Sequence, residues 1–194
     1  MARKIMILLG SPRRNGNTHT VAQWFAEGAR TAGAEVELIE IAKLKSRYGA
    51  CIACMGCQKS EQYGCVVEDE VQPVIARMPQ ADGLVFATPT YFFGPSAQTK
   101  SVLDRMYSLF KFNTTTGGYE HALGQVKLGV LATGGGGLES GLQLIETTFQ
   151  TMAGFAGLSF ASLLVPFAPA ELGAMQQQSD IQAKALAFGQ NFLG

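Results

Sequence analysis

The chain has 194 residues, 47% of them hydrophobic, which is the size of one compact domain with material for one buried core. Its 15 basic and 15 acidic residues cancel, so no global field draws it to nucleic acid or to an anionic membrane. No apolar run approaches the roughly 18 residues that span a bilayer, and the apolar start Met1–Leu9 is too short for a signal-peptide core, so the expected location is cytoplasmic.

Lys4 to Leu9 (KIMILL) is a nearly continuous apolar run closed by Gly-Ser-Pro, the pattern of a central parallel strand buried on both faces. From Thr18 the residues Val21, Ala22, Phe25, Ala26 and Ala29 recur at helical spacing, and Gly33 closes that helix. Val36 to Ile41 reads as a second strand. The cysteine-rich stretch at about 44–66 has no sustained periodicity and is expected to be a functional loop. Asp69 to Met78 suits a short helix with Pro73 in its first turn, Gly83 to Ala87 a third strand, and Thr88 to Pro95 the loop after it. Ser96 can cap a helix running to about Phe110, with Val102, Leu103, Met106 and Leu109 on one face. Lys111 to Gly124 is expected to be a loop. Lys127 to Ala132 is a fourth strand, Gly134 to Gly137 a glycine run, and Leu138 to Ala153 a helix. Phe160 to Val165 is a fifth strand, followed by a Pro-containing connection and a closing helix from Ser179 to about Phe192. With no internal repeat and no obvious linker, residues 1–194 read as a single α/β domain. The expected core is a doubly wound five-stranded parallel sheet with helices on both faces, whose ligands bind at the carboxyl ends of the strands. Loops 10–18, 88–95 and 133–138 fall at that edge.

Gly10-Ser-Pro-Arg-Arg-Asn-Gly-Asn-Thr18 lies between strand one and helix one, where backbone N–H groups and the helix dipole favour a phosphate. Ser11, Asn17 and Thr18 bring hydroxyl and amide donors, Arg13 or Arg14 brings charge, and Gly16 lets the backbone approach closely. The bland alternative is a polar turn that holds no ligand. The loop lacks the Gly-x-Gly-x-x-Gly of dinucleotide domains and the Gly-Lys-Ser/Thr of nucleoside triphosphatases, so a mononucleotide fits better.

Gly10–Thr18 resembles the phosphate loop of the NADPH-dependent FMN reductase family. Ala87–Gly94 (ATPTYFFG), followed by Lys100–Arg105 (KSVLDR), resembles that family's flavin-contacting segment, and the resemblance covers about the first 135 residues. It implies a flavodoxin-like fold and FMN as cofactor. Ser11, Arg13, Asn15, Gly16, Asn17 and Thr18 would then meet the phosphate, and Thr88, Pro89, Thr90, Tyr91, Phe92 and Phe93 would line the isoalloxazine ring. The loop after strand four, with Thr133, Gly134 and Gly135, would close over the ring's other side. The residues themselves agree, because Pro89 and Gly94 suit a tight backbone approach and Tyr91 to Phe93 offer aromatic surface to a flat heterocycle. For any one of these rings, core packing is the alternative. Asp104 and Arg105 look structural, pairing with backbone or with a neighbouring subunit. His19 and His121 read as ordinary polar residues, and no side chain is assigned to catalysis because the flavin carries the reactive atoms.

All four cysteines crowd between positions 51 and 65, which suits a metal or redox site far better than scattered structural bridges. In Cys51-x2-Cys54-x2-Cys57-x7-Cys65, three thiols have the two-residue separation that wraps a loop around one face of a cubane cluster. The motif resembles that of the iron-sulfur flavoproteins, a branch of the same family in which four cysteines hold a [4Fe-4S] cluster beside FMN. Its last gap is longer than in a ferredoxin run and no proline follows Cys65, so the fourth ligand departs from that pattern. Zinc suits four thiolates too, and free thiols can also pack as small hydrophobes with no metal.

Three functions are open to such a chain. The first is an FMN-dependent oxidoreductase that transfers electrons between the cluster and FMN. The second is an NAD(P)H-dependent FMN or quinone oxidoreductase without a cluster, and the third a non-enzymatic flavin- or metal-sensing module. The expected partners are an electron donor such as ferredoxin or NAD(P)H and a small-molecule acceptor, with neither nucleic acid nor membrane involved. The family resemblance suggests a homodimer or homotetramer.

Overall fold

Five parallel strands form the centre of the computed structural model, which describes residues 2–194: β1 (Lys4–Leu9), β2 (Glu35–Ile39), β3 (Gly83–Tyr91), β4 (Lys127–Thr133) and β5 (Phe160–Val165). Their spatial order is β2-β1-β3-β4-β5, so the chain winds outward from β1 in one direction and then returns past it in the other. The crevice between β1 and β3 is the point of reversal, where doubly wound sheets take their ligands. Short Gly94–Pro95 adds an antiparallel pairing at the end of β3.

Alternating side chains of the buried strands feed two separate cores. Ile5, Ile7 and Leu9 of β1 face α1 (Asn17–Thr31) and the closing helix Ser179–Asn191, while Met6 and Leu8 face the other side. That other side is covered by α2 (Gln72–Arg77), α3 (Ala97–Arg105) and α4 (Leu142–Phe155), and the closing helix is accordingly α5. Phe86 of β3 packs against Phe149 of α4, and Phe25 of α1 against Phe192 beyond α5. Among the described residues no helix is long and apolar enough to cross a membrane.

The expected strands and helices are present with shifted ends. β2 stops at Ile39 and a single 3-10 turn, Ile41–Lys43, takes the rest of the expected segment. β3 continues through Thr88, Pro89, Thr90 and Tyr91, so much of the expected loop is strand. α4 starts at Leu142, because Gly141 at φ +114 breaks the helical path after the turn Leu138–Ser140. The expected loop Lys111–Gly124 contains instead an antiparallel hairpin, Phe110–Phe112 with Tyr119–His121. Its signal is a period of two, Phe110-Lys-Phe112 and Tyr119-Glu-His121, with Gly117 and Gly118 before the return strand.

α1 and α5 cross at glycines. A Cβ on Gly189 would stand 2.0 Å from the Phe25 carbonyl oxygen, and one on Gly28 would stand 2.0 Å from that of Leu186. Backbone cannot yield as a flexible side chain can, so Gly189→Ala must push the two helices apart. Urea unfolding is expected to show a loss of roughly 1–3 kcal/mol, the cost of overpacking a tight core, and an unchanged midpoint would refute the close crossing.

Candidate functional site

The phosphate-loop candidate leaves the carboxyl end of β1 and is pinned there by polar groups. Gly10 donates its N–H to the Ala87 carbonyl at 2.8 Å and accepts the Ser96 hydroxyl at 2.7 Å. Ser96 also caps α3, accepting from the Thr99 N–H at 3.2 Å, and its own N–H donates to Thr88 Oγ1 at 3.0 Å. A Cβ on Gly10 would fall 1.8 Å from Thr99 Oγ1, so only glycine fits. The loop therefore sits on β3 and α3 through one buried hydroxyl.

At the start of α1, Gly16 is extended and provides no side-chain cap. The first-turn N–H groups of a helix have no intrahelical partner, so this terminus favours an anion. Asn17 and Thr18 are turned toward neighbouring loops: Asn17 Nδ2 donates to the Pro169 carbonyl at 2.7 Å, and the Thr18 and Thr133 hydroxyls pair at 2.7 Å. These bonds join the starts and ends of α1, β4 and β5 around an open cleft of about 380 Å³.

Ser11, Arg13, Gly16, Asn17 and Thr18 line that cleft from one side, Pro89, Thr90 and Tyr91 from β3, and Thr133, Gly134 and Gly135 from β4. Eleven sequence-predicted positions thus meet at one place. Thr88 is wholly buried behind it as a partner of Ser96. Asn15, in a left-handed turn at φ +55, Phe92 and Phe93 are not among its lining residues. Phe92 is 96% exposed, because it and Phe93 are the two central residues of the tight turn between Tyr91 and Gly94. The sequence reading missed Ala168, Pro169 and Ala170, which form a further wall. They lie just after β5 at the same carboxyl edge, and that position was their signal. Thr90 Oγ1 is buried beside the cleft with no hydrogen-bond partner among the described residues.

The cysteine loop leaves the carboxyl end of β2, hence the same edge of the sheet. Cys51, Cys54, Cys57 and Cys65 all line one small, almost wholly apolar cavity with Val66, Val67 and Arg105. All four are free thiols. Their sulfurs are not drawn into a coordination shell: among the described residues no three His, Cys, Asp or Glu side chains are grouped as a metal would require. The four cysteines expected as metal ligands are thus brought to one cavity as free thiols. Neutral thiols have no mutual attraction, and closing such a shell needs the deprotonation that accompanies metal binding.

Two side chains outside the motif hold this loop. Lys111, in the hairpin, donates to the carbonyls of Cys57, Ser60 and Gln62 at 2.6, 2.5 and 2.8 Å and so fixes the one-turn helix Gly56–Lys59. Arg105, at the end of α3, donates to both Asp69 carboxylate oxygens at 2.9 and 2.7 Å and to the Val67 carbonyl at 3.1 Å. The expectation that Asp104 and Arg105 are structural takes this form: Arg105 bonds a side chain and backbone of its own chain, and Asp104 pairs with Lys100 one helical turn back.

These features fit a known family. The profile of the NADPH-dependent FMN reductases matches residues 3–168, further than the sequence motifs reached. The chain belongs to this family. Within it the chain stands with the iron-sulfur flavoproteins. One from Methanocaldococcus jannaschii is 32% identical over 149 residues, 75% of this chain and 71% of the relative, and a second from the same organism is 29% identical over 166 residues, 83% and 79% respectively. The fold is flavodoxin-like. An NAD(P)H:quinone oxidoreductase from Methanothermobacter marburgensis superimposes with a TM-score of 0.77 at 19% identity, covering 100% of this chain and 98% of the other. An azoreductase from Bacillus anthracis gives 0.68 at 16% identity, covering 99% of each. The family member described here is an FMN-dependent oxidoreductase.

Arg105 and Asp69 are only 2% and 5% exposed. Burial alone would raise the Asp69 carboxyl, but hydrogen bonds from Arg105 and from the Arg47 and Gln72 N–H groups outweigh it and hold the carboxyl below its ordinary value. A depressed native pKa contributes stability that is complete above the unfolded value of about 3.9 and disappears as pH falls through the native one. Acid unfolding followed by circular dichroism is expected to steepen below about pH 4, and Asp69→Asn should flatten that slope. Arg105→Ala, which strands the carboxylate, should cost about 3–5 kcal/mol at neutral pH.

Proposed function

We propose that this protein transfers electrons between FMN, seated in the cleft at the ends of β1, β3 and β4, and a [4Fe-4S] cluster held by Cys51, Cys54, Cys57 and Cys65. The observation that carries this reading is the presence of all four thiols in one apolar cavity at the sheet edge that also carries the cleft. The names of the relatives support it as well. FMN would supply the exchange of hydride for single electrons, the chemistry that amino-acid side chains lack.

The chain's own task is to seat and orient both groups. The uncapped start of α1 favours the phosphate, with Ser11 and Arg13 beside it and Gly16 open to close approach. Pro89, Thr90 and Tyr91 offer one wall to the ring and Gly134 and Gly135 the other. The unpartnered Thr90 hydroxyl supports a polar ligand at that point, because a buried hydroxyl with no partner is costly. In the cysteine loop, Ala53 and Met55 on either side of Cys54 both have positive φ, at +50 and +58. Such left-handed alanine and methionine support a loop shaped to curl its sulfurs inward. The cavity is otherwise apolar, with Cys57 and Cys65 half-buried and Cys51 and Cys54 at its exposed side.

The donor is NAD(P)H or a ferredoxin-like protein, and the acceptor a small molecule. The description of the family supports NADPH, and the solved quinone oxidoreductase supports a quinone-like acceptor. The chain works as a homodimer or homotetramer, a reading supported by exposed Phe92, Phe93 and Phe167 at the carboxyl edge.

Two substitutions separate the sites. Cys54→Ser is expected to remove iron, sulfide and the broad brown absorbance from anaerobically prepared protein while FMN stays bound; unchanged iron would sink the cluster. Thr90→Val should weaken FMN binding roughly fivefold, the worth of one hydrogen bond of about 1 kcal/mol. The FMN-free variant should be as stable as the parent or more so, since a buried unpaired hydroxyl is gone. Unaltered FMN affinity would remove Thr90 from the cofactor site.

A further inference from the structure

Arg105 carries more donors than its structural bonds use. A guanidinium has five N–H groups in a fixed fork. Nη1 serves the Asp69 carboxylate and Nη2 the Val67 carbonyl, but Nε is buried with no acceptor among the described residues. An orphaned donor on a charged group is expensive to bury, and a lysine or a neutral residue could have tied the end of α3 without it. The same side chain forms part of the wall of the cavity that all four thiols line, whose remaining surface is nearly free of polar atoms. The Val67 carbonyl that Nη2 holds lies two residues beyond Cys65, so of the four thiols Cys65 is the one tied to Arg105 through the shortest stretch of chain.

We propose that Arg105 is a positioning residue of the cysteine site, with its free Nε–H reserved for the Cys65 sulfur once that sulfur is a thiolate ligand, so that its charge and hydrogen bond favour the reduced cluster. The inference rests on the cluster reading given above. Four thiolates around an iron-sulfur core are anionic, and each electron taken up adds a further negative charge. A hydrogen bond and a cation at the sulfur therefore stabilise the reduced form more than the oxidised one, and raise the potential. Arg105 is itself buried and the cavity wall beside it is apolar, so its field is weakly screened there. Asp69 opposes it, because its carboxylate lies against the same guanidinium and cancels part of the field. The buried pair thus has a sign: Arg105 pulls electrons toward the cluster, and Asp69 limits the pull.

That sign separates an electrostatic role from a merely structural one. Arg105→Lys keeps a cation opposite Asp69 but removes the fork and Nε. Asp69→Asn keeps the size of the side chain and removes the counter-charge. The test uses anaerobically prepared full-length protein, reductively titrated with dithionite in the presence of redox mediators, with the reduced cluster followed by electron paramagnetic resonance. Iron and sulfide per chain are measured on each sample. Arg105→Lys is expected to lower the cluster potential, making the ratio of reduced to oxidised cluster about tenfold smaller at a fixed potential, a shift of about 59 mV for one electron. Asp69→Asn is expected to shift it in the opposite direction.

Shifts of the same sign in both variants, as loosened packing and entering water would give, overturn the inference while the cluster assignment stands. So do unchanged potentials with full iron content. If Arg105→Lys holds too little cluster to titrate, Asp69→Asn decides alone: a rise upholds the inference and a fall or no change overturns it. Parent protein that contains no iron or sulfide defeats the cluster reading itself, and the inference with it.

Discussion

The buried pair between Arg105 and Asp69 ties together more of this molecule than any other single contact. Asp69 accepts the Val71 and Gln72 N–H groups at 3.0 and 3.1 Å at the start of α2 and the Arg47 N–H at 3.0 Å from the far side of the cysteine loop. One carboxylate thus fastens both ends of a loop of some twenty residues and begins the helix that follows it. Without Arg105 that carboxylate would be stranded in a nearly dry position, and without Asp69 the guanidinium would be. Such a pair adds little net stability over well-packed apolar residues, because desolvation offsets most of the attraction. It does fix geometry, since Nη1 donates to both carboxylate oxygens while Nη2 of the same rigid guanidinium donates to the Val67 carbonyl.

Arg105 also ends α3, and Ser96 begins it. The serine hydroxyl accepts the cap of this helix while donating to Gly10 at the root of the phosphate loop. One helix of nine residues, about 13 Å long by its rise per residue, therefore holds the flavin cleft by its first turn and the cysteine loop by its last. Lys100–Arg105, read in the sequence as part of a flavin-contacting resemblance with Asp104 and Arg105 structural, is in effect the strut between the two places where ligands are expected. Glycine at position 10 is the counterpart of this arrangement: the loop lies so close on Thr99 that no side chain can intervene.

Much of this was legible from the sequence because local patterns agreed with the global fold. β1 and β5 are continuous apolar runs bounded by turn residues, and both occupy the residues expected of them. The phosphate loop was legible from the place of Gly10–Thr18 between a strand and a helix. What was not legible depends on contacts across the chain. Lys111 lies 49 to 54 positions from the carbonyls it holds, and Arg105 lies 36 from Asp69. The motif that contains Arg105 and the period of two around Lys111 do not announce these distant partners. The wall formed by Ala168, Pro169 and Ala170 is composed of residues with no side-chain chemistry, and only the closure of β5 against β4 brings them to the cleft. Phe92 and Phe93 lie off the cleft lining for a different reason. Aromatic residues beside a ligand loop suggest stacking, but a two-residue turn with both φ values positive points such side chains away from the strand pair.

The distribution of backbone strain gives a last view of the same edge. Among the described residues six non-glycine positions have positive φ: Asn15, Ala53, Met55, Phe92, Phe93 and Phe167. Every one of them lies on a loop that leaves the carboxyl end of a strand. At the amino-terminal edge, the turns after α1 and α4 use Gly33 and Gly157 for the same conformation, where it carries no Cβ penalty. Left-handed conformations cost non-glycine residues roughly 1–2 kcal/mol each, so glycine would have been the easier residue at all six. Glycine would also have left those loops free to move, because its unfolded and misfolded alternatives are more numerous. Side chains that tolerate few conformations, forced into an uncommon one by their surroundings, give a stiffer loop. The carboxyl-edge loops thus mix strained non-glycine positions with glycines such as Gly49, Gly64, Gly141 and Gly173, whereas the turns after α1 and α4 take the left-handed conformation with glycine alone.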